Sequence, residues 1–125
     1  MNEKGFQKYK ELAVDTMTQG ELLMMLYDEL VKRLTRADIA LAKQEYTIFE
    51  ASVDRSMDII HYLDDTLDRQ YEISHSLTRL YEYFCYELNR VKLGRNKTEL
   101  TRVKTMVSEL RESFRTAQQS NTSGK

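Results

Sequence analysis

Proline is absent from this 125-residue chain, and glycine occurs only four times. Few positions therefore force a turn or interrupt a helix, and abundant Leu, Glu, Lys, Arg and Ala favour helix over sheet. An all-α fold follows from composition before any periodicity is read. The single cysteine, Cys85, excludes an intramolecular disulfide. Set between Phe84 and Tyr86, it is expected to be a small core filler in a reducing compartment. Long apolar runs are missing too. The longest, Leu22 to Tyr27, is far too short to span a bilayer, and Asn2, Glu3 and Lys4 open a terminus without a stretch of signal-peptide length. A soluble, cytoplasmic protein with no membrane insertion is expected. Nor does one sign of charge dominate: nineteen Lys and Arg stand against twenty Asp and Glu, a net charge of -1. No global field recruits nucleic acid or an anionic membrane.

What is present is helical periodicity. Thr18-Gln19-Gly20-Glu21 reads as a capping box, so a helix begins near Gln19. From there Leu23, Leu26, Tyr27, Leu30, Leu34, Ala37 and Leu41 recur at three- and four-residue steps and form one stripe. Phe49, Val53, Met57, Ile60, Leu63 and Leu67 repeat the pattern. After the polar stretch Asp68 to Glu72, a third stripe runs through Ile73, Leu77, Leu80, Phe84, Leu88 and Val91, with an N-cap expected near Ser74. Gly94 supplies a helix stop, Asn96 a new N-cap with Glu99 three residues on, and Leu100, Val103, Val107, Leu110, Phe114 and Ala117 the fourth stripe.

Four helices of roughly twenty residues on short links bury four stripes by turning back on one another. The expected architecture is an antiparallel up-down four-helix bundle over residues 18–117. It is flanked by a mobile N-terminal arm, residues 1–17, and a disordered polar tail, residues 118–125. The arm nevertheless carries Phe6, Tyr9, Leu12 and Val14.

The apolar surface exceeds what such a core requires. A bundle helix needs a stripe about 100° wide, yet Leu22, Leu23, Met24, Met25, Leu26 and Tyr27 are apolar almost all round. Leu22, Met24 and Met25 project away from the stripe centre. Tyr81, Tyr83, Phe84, Cys85 and Tyr86 repeat the excess in the third helix. Surplus methionine and tyrosine suggest an adaptable protein-binding surface, with Leu22, Met24, Met25, Tyr27, Tyr81, Tyr83 and Tyr86 as candidate partner-binding residues. A wide buried face, or a weak homodimer of an otherwise monomeric protein, accounts for the same surplus.

Tyr9, the stretch Thr18-Gln19-Gly20-Glu21-Leu22-Leu23-Met24-Met25-Leu26-Tyr27-Asp28, the stretch Leu80-Tyr81-Glu82-Tyr83-Phe84 and the closing helix from Val107 to Ala117 together resemble the flagellar export chaperones of the FliS family. The resemblance covers about residues 6 to 118. Its most specific pieces are Gly-Glu-Leu-x-x-Met-Leu-Tyr-Asp and Leu-Tyr-x-Tyr, in that order and at that separation. Gln19 stands where the family usually has proline, and Glu29 where it usually has glycine; neither opposes a helix. The resemblance implies a non-enzymatic chaperone whose client is the disordered C-terminal segment of flagellin. That segment becomes helical when wrapped on the chaperone, which prevents premature polymerisation and delivers it to the flagellar export gate. It also implies that Phe6 and Tyr9 form a latch over an apolar groove, displaced when the client binds.

Two rival readings rest on residues alone. Asp58-x-x-His61 and Glu72-x-x-His75 echo the carboxylate-x-x-His spacing of metal-binding bundles, but neither the first nor the fourth helix offers an acid within its apolar stripe. No metal or cofactor is expected. Lys92, Arg95, Lys97, Arg102 and Lys104 form a basic cluster that Glu99 and Glu109 interrupt and no aromatic interleaves, which suits a solvated turn better than a nucleic-acid site.

Overall fold

A computed structural model describes the backbone of residues 17–123 and the side chains of residues 17–120. Four helices account for most of it: α1 (Gln19–Ala42), α2 (Tyr46–Asp65), α3 (Ile73–Gly94) and α4 (Lys97–Ser123). Helix α1 packs on α2 and α4, and α3 packs on the same two, so each helix touches its neighbours in sequence and α4 closes the ring on α1. With links this short, consecutive helices must run antiparallel, and the result is an up-down four-helix bundle. No strand occurs among the described residues.

The helix ends explain why the chain turns where it does. Thr18 Oγ1 accepts from the Glu21 amide at 3.1 Å and the Glu21 carboxylate accepts from the Thr18 amide at 3.5 Å, completing the capping box. Such a cap contributes about 1 kcal/mol. At the other end of α1, the Glu45 amide donates to Ala40 and the Gln44 amide to Leu41, with Gln44 in the left-handed region at φ 60°. This paired closure usually places glycine where Gln44 sits.

The stop expected at Gly94 falls one residue later. Gly94 still belongs to α3, while Arg95 takes the left-handed conformation at φ 51°. Its guanidinium lies 3.5 Å from the centroid of the Tyr46 ring, a cation–π contact that offsets part of the backbone strain. Asn96 then caps α4, accepting from the Glu99 amide at 3.1 Å.

The core consists of Tyr27, Leu30, Leu34, Ala37 and Ala40 from α1, Phe49, Val53, Ile60 and Leu63 from α2, Leu77, Tyr81, Phe84, Leu88 and Val91 from α3, and Leu100, Val103 and Val107 from α4. Three expectations are corrected. Ser74 is not a cap: the residue before α3 is Glu72, which makes no side-chain cap bond, and Ser74 is buried inside the helix with its hydroxyl unpaired. Ile73, expected in the core, is 62% exposed, because the inward face of α3 runs through Ser74, Leu77 and Tyr81. The tail expected to be disordered from Gln118 instead continues α4 to Ser123, and Gln118 Nε2 donates to the Gly20 carbonyl at 2.8 Å. Apart from Met17, the N-terminal arm with Phe6 and Tyr9 lies outside the described residues.

Candidate partner-binding surface at the start of α1

Because α1 is apolar on nearly every face over its first turns, only some of those side chains can enter the bundle. Tyr27 is the one that enters completely: its ring stacks on Phe114 of α4 with centroids 5.4 Å apart, and its hydroxyl oxygen stands 2.5 Å from that of Tyr81 on α3. Burial pushes both phenols above their ordinary pKa. Tyr81 and the hydrogen bond to it raise Tyr27 further, whereas for Tyr81 the same bond works against burial and Asp64 adds to it. Both rings therefore stay neutral, so one hydroxyl donates to the other. Asp28, the next residue, faces α4 and meets Arg111 at 3.4 Å and Arg115 at 3.5 Å.

The other side chains of this stretch open onto three adjoining grooves. Leu22, Met25 and Leu26 of α1 face Asp58, Ile59 and Tyr62 of α2 across a groove of about 250 Å³. Leu22 and Leu26 also line a second groove of about 230 Å³, which reaches Leu67 beyond the end of α2. On the side toward α4, Met17, Met24 and Met25 line a third, of about 400 Å³, together with Gln118 and the charged Glu21, Asp28, Glu29 and Lys32. Sharing of Leu22, Leu26 and Met25 joins the three grooves into one collar around the start of α1, apolar toward α2 and edged with charge toward α4. Tyr62, 46% exposed, stands at its α2 rim.

Of the residues singled out from sequence, Leu22, Met24 and Met25 thus meet on this collar. Tyr27 and Tyr81 do not: both are in the core, paired with each other, and unavailable to a partner while the bundle is folded. Tyr83 is half-buried against Phe84, and Tyr86 is exposed with Arg90 near its ring. Both lie on α3, and neither lines the collar. Leu26, Ile59, Tyr62 and Leu67 do line it and were read from sequence as core or passed over. The available signal was the doubling of apolar residues at Ile59-Ile60 and Tyr62-Leu63, where one member serves the core and the other must face outward.

The histidines do not build a centre. His61 is exposed and its Nε2 lies 4.0 Å from Cys85 Sγ, while Asp58 faces the collar. Burial, with Asp64 nearby, pushes the Cys85 thiol up to about 11, so it stays protonated. Among the described residues no three His, Cys, Asp or Glu side chains come together as a metal site. Much of the basic cluster is already occupied: Lys92 meets Asp54 at 2.9 Å, Lys97 Asp38 at 3.9 Å and Arg102 Glu99 at 3.4 Å. Also among the described residues, no helix is long and apolar enough to cross a membrane.

Residues 1–121 match the family described as Flagellar protein FliS. The chain belongs to the FliS family. It is also similar to the protein named Flagellar secretion chaperone FliS of Bacillus subtilis (strain 168), with 28% identity over 115 residues, covering 92% of this chain and 86% of that relative. The bundle divides the FliS-like stretch Gly20 to Asp28 into two parts. Tyr27 is spent on packing, whereas Leu22, Met24 and Met25 stay on the collar, and Asp28 both fastens α4 and edges the third groove.

Proposed function

We propose that this protein is a flagellar export chaperone of the cytoplasm. It binds the disordered C-terminal segment of flagellin, prevents premature polymerisation and delivers the client to the export apparatus. The observation that carries the reading is the apolar collar of Leu22, Met24, Met25, Leu26, Ile59 and Tyr62 at one end of a pre-formed bundle, in a chain of the FliS family. An amphipathic helix docks by laying its apolar side chains at three- and four-residue spacing into such a groove. Leucine and methionine suit this, because their flexible chains repack around different client side chains. Flagellin is made for head-to-tail assembly into an open filament, so covering an assembly segment blocks growth. Ordering the client on binding uses part of the interaction energy, which keeps the complex releasable.

The test is calorimetry and circular dichroism with a flagellin C-terminal segment. The mixture should gain helicity beyond the sum of its parts, and Met25→Glu should weaken binding while leaving the thermal transition nearly unchanged. Additive spectra with no heat of binding would refute the chaperone reading.

A further inference from the structure

A further groove lies away from the collar, between the second half of α1 and the first half of α2. It holds about 260 Å³, and its lining includes Arg33 and Arg36 from α1 and Thr47, Ile48, Ala51 and Arg55 from α2. Three guanidinium groups line it and no carboxylate does. On the rest of the bundle, Arg90, Lys92, Lys97, Arg102, Arg111 and Arg115 each have a carboxylate partner. Lys43, Arg79 and Lys104 have no ion pair among the described residues but do not share a groove with two further guanidinium groups. In this groove only Arg33 has a carboxylate partner, Glu29 at 3.7 Å; Arg36 and Arg55 make no ion pair or hydrogen bond among the described residues. Between the arginines Ile48 is 39% exposed.

We infer that this groove is a docking site for an acidic amphipathic helix of a partner protein, one with an apolar side chain between flanking carboxylates. Charge complementarity sets the sign of the partner. Ile48 and Ala51 lie three apart on one face of α2, with Arg55 four residues further on, so the floor is an apolar row with cations along its edges. Ala51 and Thr47 are small enough to let a helix backbone come close, and a guanidinium fork takes a carboxylate in bidentate fashion.

A polyanion is a poorer fit. The chain carries a net charge of -1, so no overall field draws a phosphate backbone to it, and three guanidinium groups beside an apolar floor make a short patch and not a track. One exposed isoleucine offers a membrane little apolar area. The groove shares no lining residue with the collar, so both can be filled together, and the inference stands whether or not the client is flagellin.

The experiment titrates the full chain, isotope-labelled for NMR, with an alanine-based helical peptide bearing glutamates on both sides of a leucine stripe. Its lysine-for-glutamate counterpart, anionic phospholipid vesicles and duplex DNA are run alongside. Expected are amide shifts confined to the neighbourhoods of Arg33, Arg36, Ile48 and Arg55, weakened by salt. Arg36→Glu/Arg55→Glu should lower affinity on the order of tenfold or more. Ile48→Ser should lower it less, and Met25→Glu should leave it unchanged.

Several results would overturn the proposal: no binding of the acidic peptide, shifts scattered over unrelated basic residues, or equal binding by the charge-reversed protein. Preferential binding of vesicles or DNA would overturn it too. So would concentration-dependent self-association abolished by the reversal, which would give the groove to a second copy of the chain.

Discussion

Tyr27 and Tyr81 join hydroxyls across the middle of the bundle, 2.5 Å apart, and so tie α1 to α3, two helices that are not neighbours in the ring. Each phenol is the partner the other needs. A buried hydroxyl left alone loses its hydration without replacement.

Removing one hydroxyl should therefore be worse than removing both. Tyr27→Phe or Tyr81→Phe alone is expected to cost about 1–3 kcal/mol, since each orphans its buried partner. The double variant should lie closer to the parent than the two single effects added together. Urea unfolding of all four proteins measures the coupling, and strict additivity would show that the hydroxyls act independently.

The same pair predicts alkaline instability. In the unfolded chain both tyrosines ionise near their ordinary value of 10.0, while the fold holds both values higher. Their contribution is fully present below pH 10. Above it the unfolded state sheds protons that the folded state keeps, so stability falls by up to about 1.4 kcal/mol per pH unit for each tyrosine until its folded-state value is reached. Tyrosinate absorbance should show two groups that titrate only as circular dichroism reports unfolding, and Tyr27→Phe/Tyr81→Phe should remove both.

Gly20 and Gln118 form a second coupled pair. A Cβ at Gly20 would stand 3.0 Å from Gln118 Nε2, the far end of a flexible side chain that hydrogen-bonds the Gly20 carbonyl. Gly20→Ala gains up to about 1 kcal/mol of helix propensity but must push that amide aside. The substitution should therefore stabilise the protein more in a Gln118→Ala background than in the parent, as read by thermal unfolding. Equal gains would mean that Gln118 yields without cost.

The collar predicts which tyrosine a client touches. Tyr62→Ser should weaken binding of the flagellin segment several-fold, because Tyr62 lines the groove with Leu22 and Met25. Tyr86→Ser, equally conservative at a well-exposed site on α3, should leave binding within about twofold. Isothermal titration compares them, and the reverse order would move the client site from α1 and α2 to α3.

Local chemistry made much of the fold legible. The box Thr18 and Glu21 form, and the Asn96 cap, use atoms within one turn, so four residues of sequence contain the whole interaction. Stripes at Leu30 and Leu34, or Val103 and Val107, need only the helical period to declare a buried face. The candidate surface was half legible. Leu22, Met24 and Met25 announce themselves by exceeding one stripe, but Tyr27 sits in the same run and looks no different.

Sequence alone thus determined that the fold is all-α, where α1 and α4 begin, and that the start of α1 carries more apolar surface than its own core stripe needs. Only the tertiary structure decided which part of that surplus is buried. The direction of Tyr27 depends on Phe114 and Tyr81, which stand 87 and 54 positions away in the chain, and on the ring that brings α3 and α4 beside α1. Burial of Ser74 in place of Ile73 and docking of Gln118 on Gly20 have the same origin. A helix fixes the angle between its own side chains, but the rotation that faces its neighbours is set by contacts with other helices. No window of local sequence contains them.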